Sequence, residues 1–167
     1  MQLPGIQYWF RVMALWIFAT AVNSAPPAQL IEAKNLNSDA TLARQANIPI
    51  VLLFSQQHCP FCHQIKQEIL GPMIIAGDYR GEILIREIFI DPGVQVIDFE
   101  GKNTVARTFA NRYDVNLTPT LLFLGPDGRE LSERILGIQT VDMFFYYVDQ
   151  SIKQAITELS RSQVKNG

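Results

Sequence analysis

The sequence predicts an α/β fold in which helices flank a central mixed β-sheet. Strand-like apolar runs alternate with helical patterns, in the order strand, helix, strand, helix, strand, strand, helix. That alternation is typical of α/β folds. The last two strand-like runs are joined by the turn Gly125–Gly128, so the second of them returns antiparallel and makes the sheet mixed. The two cysteines of the chain, Cys59 and Cys62, follow the first run, where reactive groups of such sheets lie.

Composition limits the classes of protein to consider. A length of 167 residues suits one domain, and 48% hydrophobic residues provide enough apolar material for a packed core. The formal net charge of −2 shows no basic excess. A nucleic-acid-binding surface is therefore not expected.

Residues 1–25 have the pattern of a signal peptide. Arg11 precedes the uncharged run Val12–Val22, and small residues follow, so cleavage after Ala21 or after Ala25 satisfies the small-residue rule. Because Arg11 interrupts it, the run falls short of the roughly 18 apolar residues of a membrane span. The sequence therefore predicts an exported protein, and retention as an uncleaved anchor is the alternative.

An N-terminal extension, residues 26–48, precedes the main domain at 49–160. In the extension, Asn37, Ser38 or Asp39 is expected to cap a short helix that runs to about Gln45. The apolar run Ile50–Phe54 shows no polar alternation, which indicates a central strand buried on both faces.

A helix is predicted to begin beside the cysteines. Proline is tolerated at the first helical position, where Pro60 falls, and Phe61, Ile65 and Ile69 recur at the spacing of one helical face. Gly71-Pro72 is expected to end or kink this helix.

The later elements follow from the same patterns. We predict a strand within Glu82–Asp91 parallel to the first, an insertion at 92–103 with a short strand, a helix from Thr104 to Tyr113, strands at Pro119–Leu124 and Glu130–Leu136, and a polar tail at 161–167. The last helix has Thr140 as its cap and an apolar stripe formed by Val141, Phe144, Phe145, Val148, Ile152, Ala155, Ile156 and Leu159.

The C-x-x-C spacing itself indicates redox chemistry. At the start of a helix, free backbone N–H groups and the positive end of the dipole favour a thiolate. Cys59 is expected to attack as the nucleophile, and Cys62, one turn later, to resolve the mixed disulfide. A disulfide across so short a loop removes little entropy from the unfolded chain, so a structural role explains the pair poorly.

Two other kinds of site share these residues. Cys59 to His63 spells C-x-x-C-H, the attachment pattern of c-type haem. Alternatively, His58, Cys59, Cys62 and His63 are soft N and S ligands suited to copper or zinc. The β-rich runs on both sides argue against haem, and adjacent histidines and cysteines strain a four-ligand site. We therefore expect no metal and no cofactor beyond the Cys59–Cys62 disulfide.

Three motifs in order resemble the thioredoxin-like superfamily over nearly all of residues 49–159. They are Val51-Leu52-Leu53-Phe54 leading to Cys59-Pro60-Phe61-Cys62, then Leu117-Thr118-Pro119-Thr120-Leu121-Leu122-Phe123, then Asp127-Gly128 with Gly137 before the final helix. The export signal, the insertion and Thr118 most resemble periplasmic bacterial proteins of the SoxW and TlpA kind. The resemblance implies a thioredoxin-like three-layer fold and a bacterial periplasmic location. It also implies that Pro119 is a cis proline facing the disulfide, and that the backbone of Thr118 pairs with a bound substrate.

Two departures from the superfamily concern proton transfer. The superfamily's buried aspartate, six positions before the first cysteine, is Leu53 here, and its lysine on the neighbouring strand corresponds to Glu87. We hypothesise that Glu87 is a buried carboxylate that takes the proton of Cys62. The alternative is a solvent-facing Glu87 paired with Arg86 or another base.

The residues next to the cysteines can also tune the pair. The dipeptide Pro60-Phe61 resembles that of glutaredoxins and raises a glutathione-dependent alternative, against which export and length argue. His58 and His63 can favour the thiolate electrostatically, or they are surface histidines that flank the start of a helix.

The sequence thus predicts an exported thiol:disulfide oxidoreductase. A reductase is favoured, since the chain has little room for the additional helical domain of strongly oxidising relatives. The expected partners are protein thiols and disulfides as substrates and a membrane thiol relay as electron donor. A monomer is expected.

Overall fold

The computed structural model describes residues 29–138 and 140–166. The predicted signal peptide lies outside these residues. In the described part of the chain, no helix is both long and apolar enough to cross a membrane.

Four strands form the main sheet and two form a separate hairpin. The strands are β1 (Ile50–Ser55), β2 (Leu84–Phe89), β3 (Gln95–Ile97), β4 (Asn103–Val105), β5 (Thr120–Leu124) and β6 (Ile135–Leu136). The main sheet has the order β2-β1-β5-β6. Strand β1 is parallel to β2 and antiparallel to β5, and β6 is antiparallel to β5. The mixed sheet predicted from the sequence is confirmed.

Helices cover both faces of this sheet. They are α1 (Leu36–Ala46), α2 (Pro60–Ile65), α3 (Gly71–Ala76), α4 (Ala106–Asn111) and α5 (Phe144–Asn166). Along β1, residues 50, 52 and 54 pack in one core with α1 and α4, whereas residues 51 and 53 pack in a second core with α2, α3 and α5. This period of two follows from the alternation of side chains along a strand. The three predicted layers are therefore confirmed.

The N-terminal extension is part of the first core. Leu36, Ala40 and Ala43 are buried on the inner side of α1. Asn35 caps this helix, since its side chain accepts a hydrogen bond from the N–H of Ser38 at 3.0 Å. The predicted cap at residues 37–39 was wrong. Asn35 also bridges to Ile97, and this long-range contact sets where the helix begins.

The insertion at 92–103 forms the hairpin β3–β4, and this hairpin changes the start of the next helix. Asn103 pairs with Ile97 and Val105 pairs with Gln95, so residues 103–105 are extended. Helix α4 begins only at Ala106, and Val105 is its N-cap. The prediction that Thr104 caps a helix running to Tyr113 was wrong for this reason.

The helix that follows the cysteines continues past Gly71-Pro72. A π-turn at Lys66–Leu70 joins α2 to α3. Proline lacks an N–H to donate to the preceding turn, and a π-turn is a common way for a helix to accommodate such an interruption. The predicted end at Gly71-Pro72 was wrong, because the chain stays helical to Ala76 and the π-turn lies directly before Gly71.

Helix α5 buries the predicted stripe at five positions. Phe144, Val148, Ile152, Ala155 and Leu159 are buried, while Phe145 is 46% exposed and was wrongly assigned to the stripe. The helix is preceded by a 3-10 turn at Val141–Met143. At 100° per residue, Phe145 lies at the edge of the stripe formed by the five buried positions, and its side chain is therefore half exposed.

Candidate active site

The two cysteines form a disulfide at the start of α2. The S–S bond is 2.04 Å long. Cys59 is the N-cap of the helix, and its Sγ accepts a hydrogen bond from the N–H of Cys62 at 3.1 Å. Pro60 occupies the first turn, where its missing N–H leaves no donor unsatisfied. The sulfur of Cys59 therefore lies within hydrogen-bond distance of one backbone donor of the first turn, the N–H of Cys62, which it shares with the carbonyl of Cys59. A backbone donor at this position favours a thiolate.

The two sulfurs differ in access. Cys59 is 7% exposed, whereas Cys62 is fully buried. Phe61, predicted to share an inner helical face with Ile65, is 59% exposed instead. It lies on the surface beside Cys59 because Cys62 and Ile65 occupy the inner face of this short helix. Of the two cysteines, only Cys59 therefore retains any exposure.

Side chains hold the loop between β1 and Cys59. The backbone N–H of Gln57 donates to Asp91 Oδ2 at 3.1 Å, and the Nε2 of His63 lies 3.2 Å from the carbonyl oxygen of Gln57. His58 and His63 are both exposed. His63 is thus held against the backbone that leads to Cys59, and His58 lies at the surface.

The Thr118–Pro119 peptide bond is cis. Antiparallel pairing of β1 with β5 puts the residues before Thr120 at the same sheet end as the residues after Ser55. Across this end, the hydroxyl of Thr118 donates to Gln56 Oε1 at 3.0 Å. The N–H of Gly137 donates to the carbonyl of Pro119 at 2.8 Å. The proline loop is therefore held from both sides, next to the loop that carries the disulfide.

Glu87 lies on β2 opposite Leu53. Its carboxylate is buried, and Lys66 Nζ lies 2.8 Å from its Oε1. The predicted alternative partner, Arg86, instead binds Asp39 at 2.8 Å, between β2 and α1. Glu87 thus has the burial that the proton-acceptor hypothesis needs, together with a cationic partner that the sequence analysis did not identify.

A cavity of about 600 Å³ opens beside this ion pair. Its lining includes Leu30, His63, Lys66, Glu87 and Phe89. The ammonium of Lys66 lies 5.5 Å from the centre of the Phe89 ring, within cation–π range. The pair is therefore linked through this cavity to His63, the residue directly after Cys62.

Sequence reasoning missed Lys66, Gln56 and the hydroxyl of Ser55. Lys66 could have been found from its spacing. It follows Cys62 by four residues, which puts both side chains on one side of a helix. Ser55 ends an otherwise apolar strand and Gln56 follows it. Nothing in their local pattern reveals that Gln56 binds Thr118 or that the Ser55 hydroxyl is buried without a partner.

The four soft ligands considered for a metal do not converge. The sulfurs of Cys59 and Cys62 are bonded to each other. The Nε2 of His63 lies against the carbonyl oxygen of Gln57. Among residues 29–138 and 140–166, no group of three or more His, Cys, Asp or Glu side chains is arranged to hold a metal ion. Together, fold and site define an α/β protein with a disulfide at the start of α2.

Comparison with known proteins identifies the family. The family description "thioredoxin-like domain" matches residues 36–152, so the chain belongs to the thioredoxin-like family. Within this domain it carries the Cys59–Cys62 disulfide.

One curated relative is thiol:disulfide interchange protein DsbD 1 of Pseudomonas aeruginosa. It is 25% identical over 159 residues, an alignment that covers 82% of this chain and 25% of the relative. The chain therefore corresponds to about a quarter of that longer protein.

Solved structures share the fold. A DsbH oxidoreductase is 18% identical, with a TM-score of 0.54, over 79% of this chain and 92% of that one. A thioredoxin from Thermus thermophilus is 20% identical, with a TM-score of 0.53, over 73% and 87%. Oxidised mitochondrial thioredoxin 3 from Saccharomyces cerevisiae is 20% identical, with a TM-score of 0.50, over 74% and 93%.

Proposed function

We propose that this chain is an exported, periplasmic disulfide reductase that acts on protein substrates. The observation that carries the proposal is the difference between the two sulfurs: Cys59 is at the helix start and partly accessible, and Cys62 is buried behind it. That difference suits a pair in which Cys59 attacks the substrate disulfide and Cys62 resolves the mixed disulfide. The likeness to part of DsbD 1, a named thiol:disulfide interchange protein, supports the same chemistry.

The proposed reaction begins with the reduced pair. The Cys59 thiolate attacks one sulfur of a substrate disulfide, a mixed disulfide forms, and the other substrate sulfur leaves as a thiolate. Cys62 then loses its proton and attacks Cys59 Sγ. The Cys59–Cys62 bond forms, the second substrate sulfur leaves and takes up a proton, and two electrons have passed to the substrate. No cofactor besides the cysteine pair takes part.

The backbone beside Pro119 is the proposed substrate site. Thr118 is held by Gln56 and Pro119 by Gly137, so the segment that leads into β5 is a fixed backbone edge at the sheet end that also carries the disulfide loop. An extended substrate segment can pair with such an edge. Exposed Phe61 in the cysteine motif and exposed Leu117 next to Thr118 add apolar surface.

The proton acceptor for Cys62 is the feature in which this site departs from the superfamily. The aspartate expected at Leu53 is absent, and we propose that Glu87 takes the proton, with Lys66 as its partner when charged. The exposed histidines His58 and His63 favour the thiolate from outside. The electron donor that re-reduces the pair is proposed to be a membrane thiol relay, and the protein to act as a monomer.

The reductase assignment is tested with purified protein. Wild type should accelerate the reduction of insulin by dithiothreitol, and Cys59→Ser should abolish the effect. Cys62→Ser should retain attack and accumulate a mixed disulfide visible by mass spectrometry. An equilibrium potential in the range of strongly oxidising relatives, near −120 mV, would contradict the reductase direction.

Export and the competing haem and metal sites need separate measurements. The native protein should appear in the periplasmic fraction of its host with its N-terminal segment removed. The purified protein should lack a Soret band, and the reduced protein should take up less than one equivalent of copper or zinc. Covalent haem would overturn the oxidoreductase proposal.

A further inference from the structure

Ser55, the last residue of β1, has a buried hydroxyl without a partner. Among residues 29–138 and 140–166, Ser55 Oγ is the one buried side-chain oxygen or nitrogen that makes no hydrogen bond. The residue is fully buried. A buried hydroxyl without a partner is costly and calls for an explanation. Its backbone is engaged normally, since its carbonyl accepts from the N–H of Ile90 at 3.0 Å.

Strand geometry directs this hydroxyl towards the helix of the cysteines. Side chains alternate along β1, and Val51 and Leu53 belong to the core that contains Ile65 of α2. Ser55 continues that series. Cys62 and Ile65 are the buried residues of α2, so the inner face of the helix presents Cys62 to the same side of the sheet.

The neighbours of Ser55 support this position. It is paired in register with Phe89 of β2, whose ring contacts Lys66 on the same helical segment. One step beyond the Phe54–Thr120 pair, the antiparallel register puts Pro119 opposite Ser55. Strand register thus places Ser55 between Phe89, which lines the cavity with Lys66 and Glu87, and the proline loop, on the side of the sheet that α2 covers.

We propose that the Ser55 hydroxyl donates a hydrogen bond to Cys62 Sγ when the disulfide opens. The inference rests on the proposed disulfide exchange. In the oxidised protein both sulfurs are bonded, and a disulfide sulfur is a weak acceptor. On reduction, the S–S bond takes up two electrons and breaks, and Cys62 becomes a thiol, whose sulfur is a better acceptor than a disulfide sulfur. When Cys62 then loses its proton, the charged sulfur accepts a much stronger hydrogen bond.

In this role, Ser55 transfers no proton and no electrons. When Cys62 loses its proton and attacks the mixed disulfide, the Cys62–Cys59 bond forms and the Cys59–substrate bond breaks. The proton goes to the acceptor or to water, and the substrate sulfur leaves with the electron pair. Ser55 keeps its own proton throughout and stabilises the attacking thiolate. The unpaired hydroxyl of the oxidised form thus favours the reduced form.

Ser55→Ala tests the proposal in the full chain. The equilibrium constant for reduction by dithiothreitol should fall about threefold to tenfold, the effect of one hydrogen bond. In a stopped-flow reaction of the reduced protein with an aryl disulfide, the second aryl thiolate is released by Cys62. The pH profile of this second phase should move to higher pH, because the thiolate is less stabilised.

Two further variants serve as controls. Ser132→Ala removes a hydroxyl whose partner is the carbonyl of Ser151, far from the cysteines, and should change neither readout. Ser55→Thr retains the hydroxyl and should restore both. Thermal unfolding of oxidised Ser55→Ala should be no easier than that of wild type, which shows that the variant is folded.

The proposal fails if folded Ser55→Ala keeps the wild-type equilibrium constant within twofold and the same pH profile. It also fails if Ser132→Ala shifts both readouts equally. Both measurements use small thiols and disulfides. They therefore report on Ser55 even if the chain proves inactive on protein substrates, and failure of this proposal is distinguishable from failure of the reductase assignment.

Discussion

Lys66 Nζ lies 2.8 Å from Glu87 Oε1. Lys66 follows Cys62 by one helical turn. The side chains of Lys66 and Glu87 are 19% and 6% exposed, so water screens the charges only partly. A carboxylate on β2 and an ammonium on the cysteine helix thus form an ion pair, whereas the superfamily's aspartate position on β1 is Leu53 in this chain. This pair is the main electrostatic peculiarity of the site.

Glu87→Gln tests the carboxylate as proton acceptor. The resolving step should slow about tenfold, less than the roughly 100-fold often supplied by a general base, because the carboxylate is already bonded to Lys66. The pH profile of that step should also change. Stopped-flow exchange measures both, and Glu130→Gln, at a remote carboxylate that binds Arg134, is the matched control. An unchanged rate and pH profile would remove Glu87 from the mechanism.

Lys66→Met should destabilise the fold by leaving the Glu87 carboxylate buried and unpaired. We expect about 3 kcal/mol, the low end for breaking a buried pair, because the lysine retains some exposure. The double variant Lys66→Met with Glu87→Leu should regain most of this loss, since apolar residues replace both charges. Urea unfolding of the oxidised proteins measures it. A double variant as unstable as the single would show that the unpaired charge is not the cause.

Gln56→Ala should weaken substrate binding through Thr118. Without Gln56 Oε1, the Thr118 hydroxyl loses its partner, and the edge beside Pro119 is held from one side only. KM for a protein disulfide should rise about threefold to tenfold, with kcat little changed. Gln57→Ala is the control because Gln57 uses only backbone atoms in its contacts. Equal effects of the two substitutions would contradict a positioning role for Gln56.

Asp98→Asn should reduce the acid dependence of stability. Burial alone would raise the pKa of Asp98, but the hydrogen bond from Arg112 at 2.7 Å and backbone donors at Lys102 and Glu100 lower the pKa below its ordinary value. A lowered folded pKa means that its stabilisation is present above the unfolded pKa, near 4, and is lost as pH falls through the folded pKa.

The substitution should cost about 2 kcal/mol at pH 7, with a smaller difference from wild type at pH 3. Thermal unfolding at several pH values measures it. Asp127→Asn, at an exposed carboxylate, should leave the acid limb unchanged. A constant difference between Asp98→Asn and wild type from pH 3 to pH 7 would show that the charge of Asp98 does not contribute.

Much of the fold was predictable because its signals are local. The apolar run of β1, the glycine turn before β6 and the stripe of α5 each depend on side chains close in sequence, so periodicity reports them. The cysteine spacing likewise indicated the chemistry without any knowledge of tertiary structure. The order of elements then limited the sheet to a mixed arrangement.

The errors occur where a distant segment competes for the same residues. Asn35 caps α1 because it also pairs with Ile97, and α4 starts late because β4 is held by β3. Cap and helix patterns contain no information about such partners. The error at Phe145 has a different cause, since this residue lies at the edge of the apolar stripe of α5, where periodicity alone does not decide burial.

By itself, the sequence determined the class of fold, the cysteine pair and the positions that depart from the superfamily, Leu53 and Glu87. Only the tertiary structure decided that Glu87 binds Lys66, that Gln56 holds Thr118, and that the Ser55 hydroxyl is buried without a partner under the cysteine helix. The first two relationships join residues that are 21 and 62 positions apart in the chain. The third depends on the lack of a hydrogen-bond partner around Ser55 Oγ. Burial and pairing at that range are set by packing of the whole chain, and local sequence patterns do not encode them.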